Sequence, residues 1–220
     1  MFHNKKSIAA LVISICSALY STSAATEPTS HIHIKHLIKS WPAAPQAIGL
    51  LPIAIKEAAI ASLYIKLARI HDQDLNWIKS HIKQAQYALK ANPAEEGGQG
   101  YGLIKAAYAI ARETKLAAAN QASINVKLQS KAIIMSAYNT AAVAKKMARI
   151  CNKIANTFSI AQALSYIDQL EILAITLLEG EDLDKDGQIT SFNHEGGLNL
   201  ARDKLTFMAR TAGIIKLKKP

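Results

Sequence analysis

Residues 123–155 read SINVKLQSKAIIMSAYNTAAVAKKMARICNKIA. Ile133, Ser136, Thr140, Val143, Met147, Ile150 and Ile154 recur at alternating steps of three and four. That period winds one face of an α-helix, and no proline interrupts it. Small residues share the face, so neighbouring helices can approach closely. A long helix with such a seam buries it against other helices, which predicts an all-α fold.

The flanking sequence extends the pattern in both directions. Ala54, Ala58, Ile65 and Ala68 lie on one face of a helix from Ile53 to about His71. Asp72 and Asp74 offer N-caps for a second helix, with Leu75, Ile78, Ile82, Ala85 and Leu89 as its seam. Asn92-Pro93 ends it, and a glycine-rich loop runs from Glu95 to Gly102. A third helix spans about Leu103 to Asn120, before the long fourth one. Thr157 or Ser159 caps a fifth, with Ile160, Ala163, Ile167, Leu170, Ala174 and Leu177 inward and Gly180 closing it. A sixth turns Leu198, Ala201, Leu205 and Met208 inward. The expected architecture is an antiparallel bundle of four to five long helices with a C-terminal helix–loop–helix unit.

Composition agrees. The chain has 220 residues, 50% hydrophobic, with only 10 glycines and 6 prolines, so neither disorder nor a sheet protein is indicated. Residues 1–25 read as a secretory signal peptide: Lys5 and Lys6 start it, Ile8 to Tyr20 is apolar, and Ser23, Ala24 and Ala25 suit cleavage. The expected mature chain starts at Thr26 and is periplasmic or secreted. It is not transmembrane, since no later segment has 18 uninterrupted apolar residues. Residues 26–52, punctuated by Pro28, Pro42, Pro45 and Pro52, are expected to form an irregular arm plugged by Trp41. The bundle then covers 53–158, the helix–loop–helix unit 159–212, and a basic tail with Lys216, Lys218 and Lys219 covers 213–220.

The whole chain carries a net charge of +10. Export argues against nucleic acid as the partner of this basic surface, and favours an acidic protein or an anionic membrane. The charge is uneven, because Glu179 to Glu195 holds six acids and one lysine.

Within that acidic stretch, residues 182–190 read Asp-Leu-Asp-Lys-Asp-Gly-Gln-Ile-Thr. Calcium takes six to eight hard oxygen ligands, and carboxylates at alternate positions of a tight loop converge on it. Asp182, Asp184 and Asp186 supply the carboxylates, and Gly187 supplies the turn. Gln188 offers its carbonyl, Ile189 an apolar anchor, and Thr190 a ligand through water. The stretch resembles the calcium loop of the EF-hand, calmodulin-like superfamily. The resemblance covers about 50 residues and implies calcium as the bound ion. It departs at the twelfth position, where the superfamily has a bidentate glutamate and this chain has Asn193; Glu195 lies two residues on. Either residue can close the loop. Sensor hands pair, and a single one implies a structural clamp.

Asn125-Val126-Lys127, Tyr101-Gly102, Asn139-Thr140 and Glu195-Gly196-Gly197-Leu198 add a wider likeness. Together with the loop they are similar to a group of exported bacterial helical proteins. That group joins a His-bearing bundle to one EF-hand. This chain keeps His81 and has Gln84, Tyr87, Gln129 and Lys204 where the group has further histidines.

A second metal reading rests on His31, His33 and His36, whose imidazoles suit copper, nickel or zinc in a carrier or sensor. Their other reading is an extended arm with Ile32 and Ile34 against the bundle. His71 and His81 meet only if the turn at 72–74 folds back. Cys151 reads as a buried, inert thiol, and Cys16 lies in the leader. The tyrosines 64, 87, 101, 108, 138 and 166 are expected in the core. No nucleophile–base pair, catalytic carboxylate pair or cofactor motif is present, so no enzyme is expected.

Overall fold

The computed structural model describes residues 28–91, 97–119 and 122–216. The leader expected at 1–25, the start of the glycine-rich loop at Glu95 and Glu96, and the end of the basic tail lie outside them. The described residues form helices and no named strand: α1 (Thr29–Ile38), α2 (Leu50–Ala68), α3 (Leu75–Lys90), α4 (Leu103–Ala117), α5 (Ile124–Asn156), α6 (Ile160–Glu179) and α7 (Leu198–Thr211).

α5 organises the molecule. At 33 residues it is about 50 Å long, and α3, α4, α6 and α7 all pack on it. Six of its seven seam residues are buried, and Val143 is partly so. Ala137, Ala141, Ala144 and Ala148 are also buried on α5, as are Ala106, Ala107 and Ala111 on α4. Small side chains at these positions let the two helices lie close. The inward residues expected on α3, α6 and α7 are buried, except Leu75 and Ile160, which are half-buried.

Local chemistry sets the ends. The Asp74 carboxylate accepts from the N–H groups of Asn76 and Trp77 and so caps α3. Ser123 caps α5 and Ser159 caps α6 in the same way. α6 is long and apolar enough to cross a membrane by length and composition, and its inward face packs on α2 and α5.

The arm expected to be irregular holds a helix. α1 occupies Thr29–Ile38, buries Ile34 and Leu37, and packs against α4 and α2. Pro28 stands at its N-cap, where a proline removes no helical hydrogen bond. The alternation of His31, Ile32, His33 and Ile34 hides the helical step from Ile34 to Leu37 and Ile38. α2 likewise starts at Leu50, not Ile53, because Pro52 falls in its first turn, where it is tolerated. Trp41 does fasten this segment, with its N–H donating to the Ile48 carbonyl and its Nε1 to the Tyr101 hydroxyl at 2.8 Å.

The tyrosines are not all core residues. Tyr101 is buried, whereas Tyr108 is exposed. Lys145 and Lys115 donate to the Tyr108 and Tyr138 hydroxyls at 2.7 and 2.6 Å. A phenol keeps its hydroxyl near water, and each of these lysines also lies over the ring it bonds, 5.0 Å from the centroid for Lys115 on Tyr138 and 4.8 Å for Lys145 on Tyr108.

Candidate functional site

The acidic loop begins where Gly180 ends α6 at φ +93°, a conformation that glycine adopts without strain. Gly180 and Gly196 form an antiparallel bridge, and the Glu181 N–H donates to the Glu195 carbonyl at 2.9 Å. The loop is therefore pinched shut at its base. Asn139, buried on α5, donates from Nδ2 to the Gly196 carbonyl at 3.1 Å. A Cβ at Gly197 would lie 2.6 Å from the Leu178 carbonyl oxygen, so the base closes only with glycine there. These contacts explain why Glu195-Gly196-Gly197-Leu198 and Asn139 stand where they do.

Inside the pinch, three carboxylates converge. Asp182, Asp184 and Glu195 each place one oxygen within 4.8 Å of the others. Asp182 accepts from the N–H groups of Asp186 at 3.2 Å and Gly187 at 2.9 Å. Asp186 accepts from the Gln188 N–H at 2.8 Å. These hydrogen bonds curl the backbone around the first aspartate, and Gly187 turns at φ +84°. Asp186 is not in the convergent set of carboxylates.

Glu195 is the group that fills the loop. It is fully buried, and its Oε1 accepts from the N–H groups of Leu183 and Asp184 at 3.2 and 3.3 Å. Its Oε2 accepts from the Thr190 N–H at 3.0 Å and the Thr190 hydroxyl at 2.9 Å. The Thr190 backbone bond, ahead of the opposing effect of burial, holds this carboxyl below the usual glutamate range. Asn193 sits at φ +55° and donates from Nδ2 to Asp184 Oδ2 at 3.1 Å. Of the two residues that can close the loop, Glu195 lies with the aspartates, and Asn193 braces one of them from outside. Ile189 is 40% exposed, not an interior anchor; its side chain lies over Gly180 at the edge of the loop.

A second cluster lies across α1 and α4. His33, His36 and Glu113 also place three ligand-type atoms within 4.8 Å of one another. His31 is not part of it. His71 and His81 do come to one place, each packing its ring on Trp77 at 4.4 and 4.1 Å between centroids. Among the described residues they belong to no cluster of three metal-ligating groups.

Two buried acids were not legible as site residues. Glu113 follows Ala106 and Ile110 on the buried stripe of α4, and a charge on such a stripe is the signal that marks it. Glu57 is fully buried on α2 and accepts from the N–H groups of Gln99, Tyr101 and Gly102 at 2.8 to 3.0 Å. It anchors the described part of the glycine-rich loop, which the sequence presents as a flexible connection. Cys151 is buried, and burial pushes its thiol up to about 12.

Compared with known proteins, the chain matches no family model, no curated protein and no solved structure. Both clusters have the donor types to hold a metal ion, and the geometry alone speaks for what they do.

Proposed function

We propose that this is an exported calcium-binding protein whose loop at 182–195 clamps α7 to the end of α6 and to α5. The convergence of the Asp182, Asp184 and Glu195 carboxylates carries the reading. A donor set made only of oxygen, with several negative charges, suits a hard cation of calcium's size and flexible coordination. The Gln188 carbonyl and Thr190 fill further positions, as the resemblance to the EF-hand loop implies. Calcium supplies charge neutralisation and cross-linking of the loop; the chain's residues supply the pinched base and the preformed turn.

The reading includes an antiparallel bundle, with turns as short as residues 157–159 between α5 and α6. It includes a leader at 1–25 and a periplasmic or secreted location. It assigns no catalysis. Beside the loop, a groove of about 570 Å³ is lined by Leu128, Ala132, Met135, Phe192, Lys131 and Lys204. Its two lysines and exposed Phe192 suit contact with an acidic protein or an anionic membrane surface.

Calcium added to the chain from Thr26 tests this directly. Because the unfolded chain lacks the site, binding raises Tm, by about 2.7 kcal/mol of stability at a hundredfold excess over Kd. A Tm that does not move at millimolar calcium, or moves equally after Asp182→Asn with Asp184→Asn, overturns the reading.

A further inference from the structure

We infer that His33, His36 and Glu113 form a second metal site, selective for a borderline divalent ion such as zinc. His33 and His36 lie three residues apart on α1, so their rings project from one face. The Nδ1 atoms of both rings meet the same oxygen, Glu113 Oε2, at 2.8 and 2.9 Å. Two imidazole nitrogens and one carboxylate oxygen are the protein ligands of many three-point zinc centres. Ligands about 2.0–2.1 Å from a tetrahedral ion lie roughly 3.3 Å apart, so the two nitrogen–oxygen distances need to open by about half an ångström.

The surroundings hold these ligands in place. Glu113 is 4% exposed at its side chain, and Arg112 binds its other oxygen, Oε1, at 3.2 Å. Arg112 also lies over the Trp41 ring, 5.5 Å from its centroid. Trp41 in turn packs edge-on against His36 at 5.1 Å and is fixed by its bond to Tyr101. Partners of this kind orient a first set of ligands and raise affinity. The His33 and His36 side chains remain 18% and 26% exposed, which leaves a path for the ion and a place for a water ligand.

Without metal, both hydrogen bonds to Oε2 require a proton on each Nδ1. Metal binding at Nδ1 takes the other tautomer of each neutral ring: its one ring proton leaves Nδ1 for water and Nε2 takes one up, so no net proton is released, and Glu113 remains the charge partner. The nitrogen ligands separate this site from the all-oxygen loop, where calcium is the fitting ion.

Zinc is titrated calorimetrically into the chain from Thr26 with calcium in excess. The expected result is one equivalent bound, with affinity reduced tenfold or more by His33→Gln and by Glu113→Gln at unchanged helical circular dichroism, and unmoved by Asp184→Asn. No zinc binding, or binding that Asp184→Asn abolishes and the other two leave intact, overturns the site. Should the variants fail to fold, zinc X-ray absorption on the unmodified chain decides: two imidazole ligands support the site, and none or one refutes it.

Discussion

Glu195 stands two residues beyond the position at which the EF-hand loop that this stretch resembles would end, yet its carboxylate is the one buried among the loop amides. An entering ion competes at Oε1 with the longest of its hydrogen bonds, those from Leu183 and Asp184. Glu195→Gln keeps the shape and removes the charge, so it is expected to abolish the calcium-dependent rise in Tm. Asn193→Ala removes the brace on Asp184 and leaves an alanine at φ +55°, which asparagine tolerates better; it is expected to weaken calcium binding severalfold while preserving the rise. Loss of the rise in Asn193→Ala with the rise intact in Glu195→Gln would show that Asn193, not Glu195, is the closing ligand. Cys151 provides a test of burial at the same scale. In the chain from Thr26 its thiol should stay unmodified by a thiol reagent at pH 8 until the protein is unfolded. Glu57 and Glu113 stand in the sequence as isolated charges on the buried faces of α2 and α4, a signal that marks them without giving their role. Which donors they meet is not legible there, because Glu113 and its histidine partners are nearly 80 residues apart.

At the scale of elements, caps and glycines divide the work. Ser159 accepts from the Gln162 N–H at 3.3 Å and begins α6. Ser159→Ala should cost about 1 kcal/mol, read as a Tm lower by about 2–4 °C. Gly197→Ala should be worse, because its Cβ meets backbone on both sides, the Gly180 nitrogen and the Leu178 carbonyl oxygen, each at 2.6 Å. Its φ of −101° suits any residue, so the penalty is steric and not conformational. This variant is expected to blunt the calcium response although every carboxylate remains, as followed by Tm with and without the ion. Helix positions were largely legible because the three-and-four spacing is a local property. α1 was obscured because four prolines and a two-residue alternation dominate 26–52, and only its docking on α4 and α2 selects the helix.

At the scale of the molecule, α5 is the post around which the helices gather, and the buried Cys151 on it couples the whole fold to alkaline pH. Its folded thiol titrates at about 12, above the ordinary value near 8.5 of an unfolded cysteine. A group raised on folding contributes fully below its unfolded pKa and loses that contribution as pH rises toward the folded one. The Tm should therefore fall between about pH 8.5 and 12, and less steeply in Cys151→Ala, whatever that variant's Tm at neutral pH. Thermal melts across that range check it. Arg69 ties α2 to α6 through Asp168 and Glu171, but these groups are substantially exposed. Water screens them, so Arg69→Met should cost no more than about 1 kcal/mol. The sequence by itself determined the all-helical class, most helix spans and the acidic loop, since each depends on residues within a few turns of one another. Only the tertiary structure decided that Glu195 joins Asp182 and Asp184 inside the loop, that Glu57 pins the glycine-rich segment, and that His33 and His36 face Glu113. The first depends on how the loop's base closes between Gly180 and Gly196. The other two depend on which helix lies beside which, and hydrophobic periodicity, being non-directional, specifies a buried face without naming its neighbour.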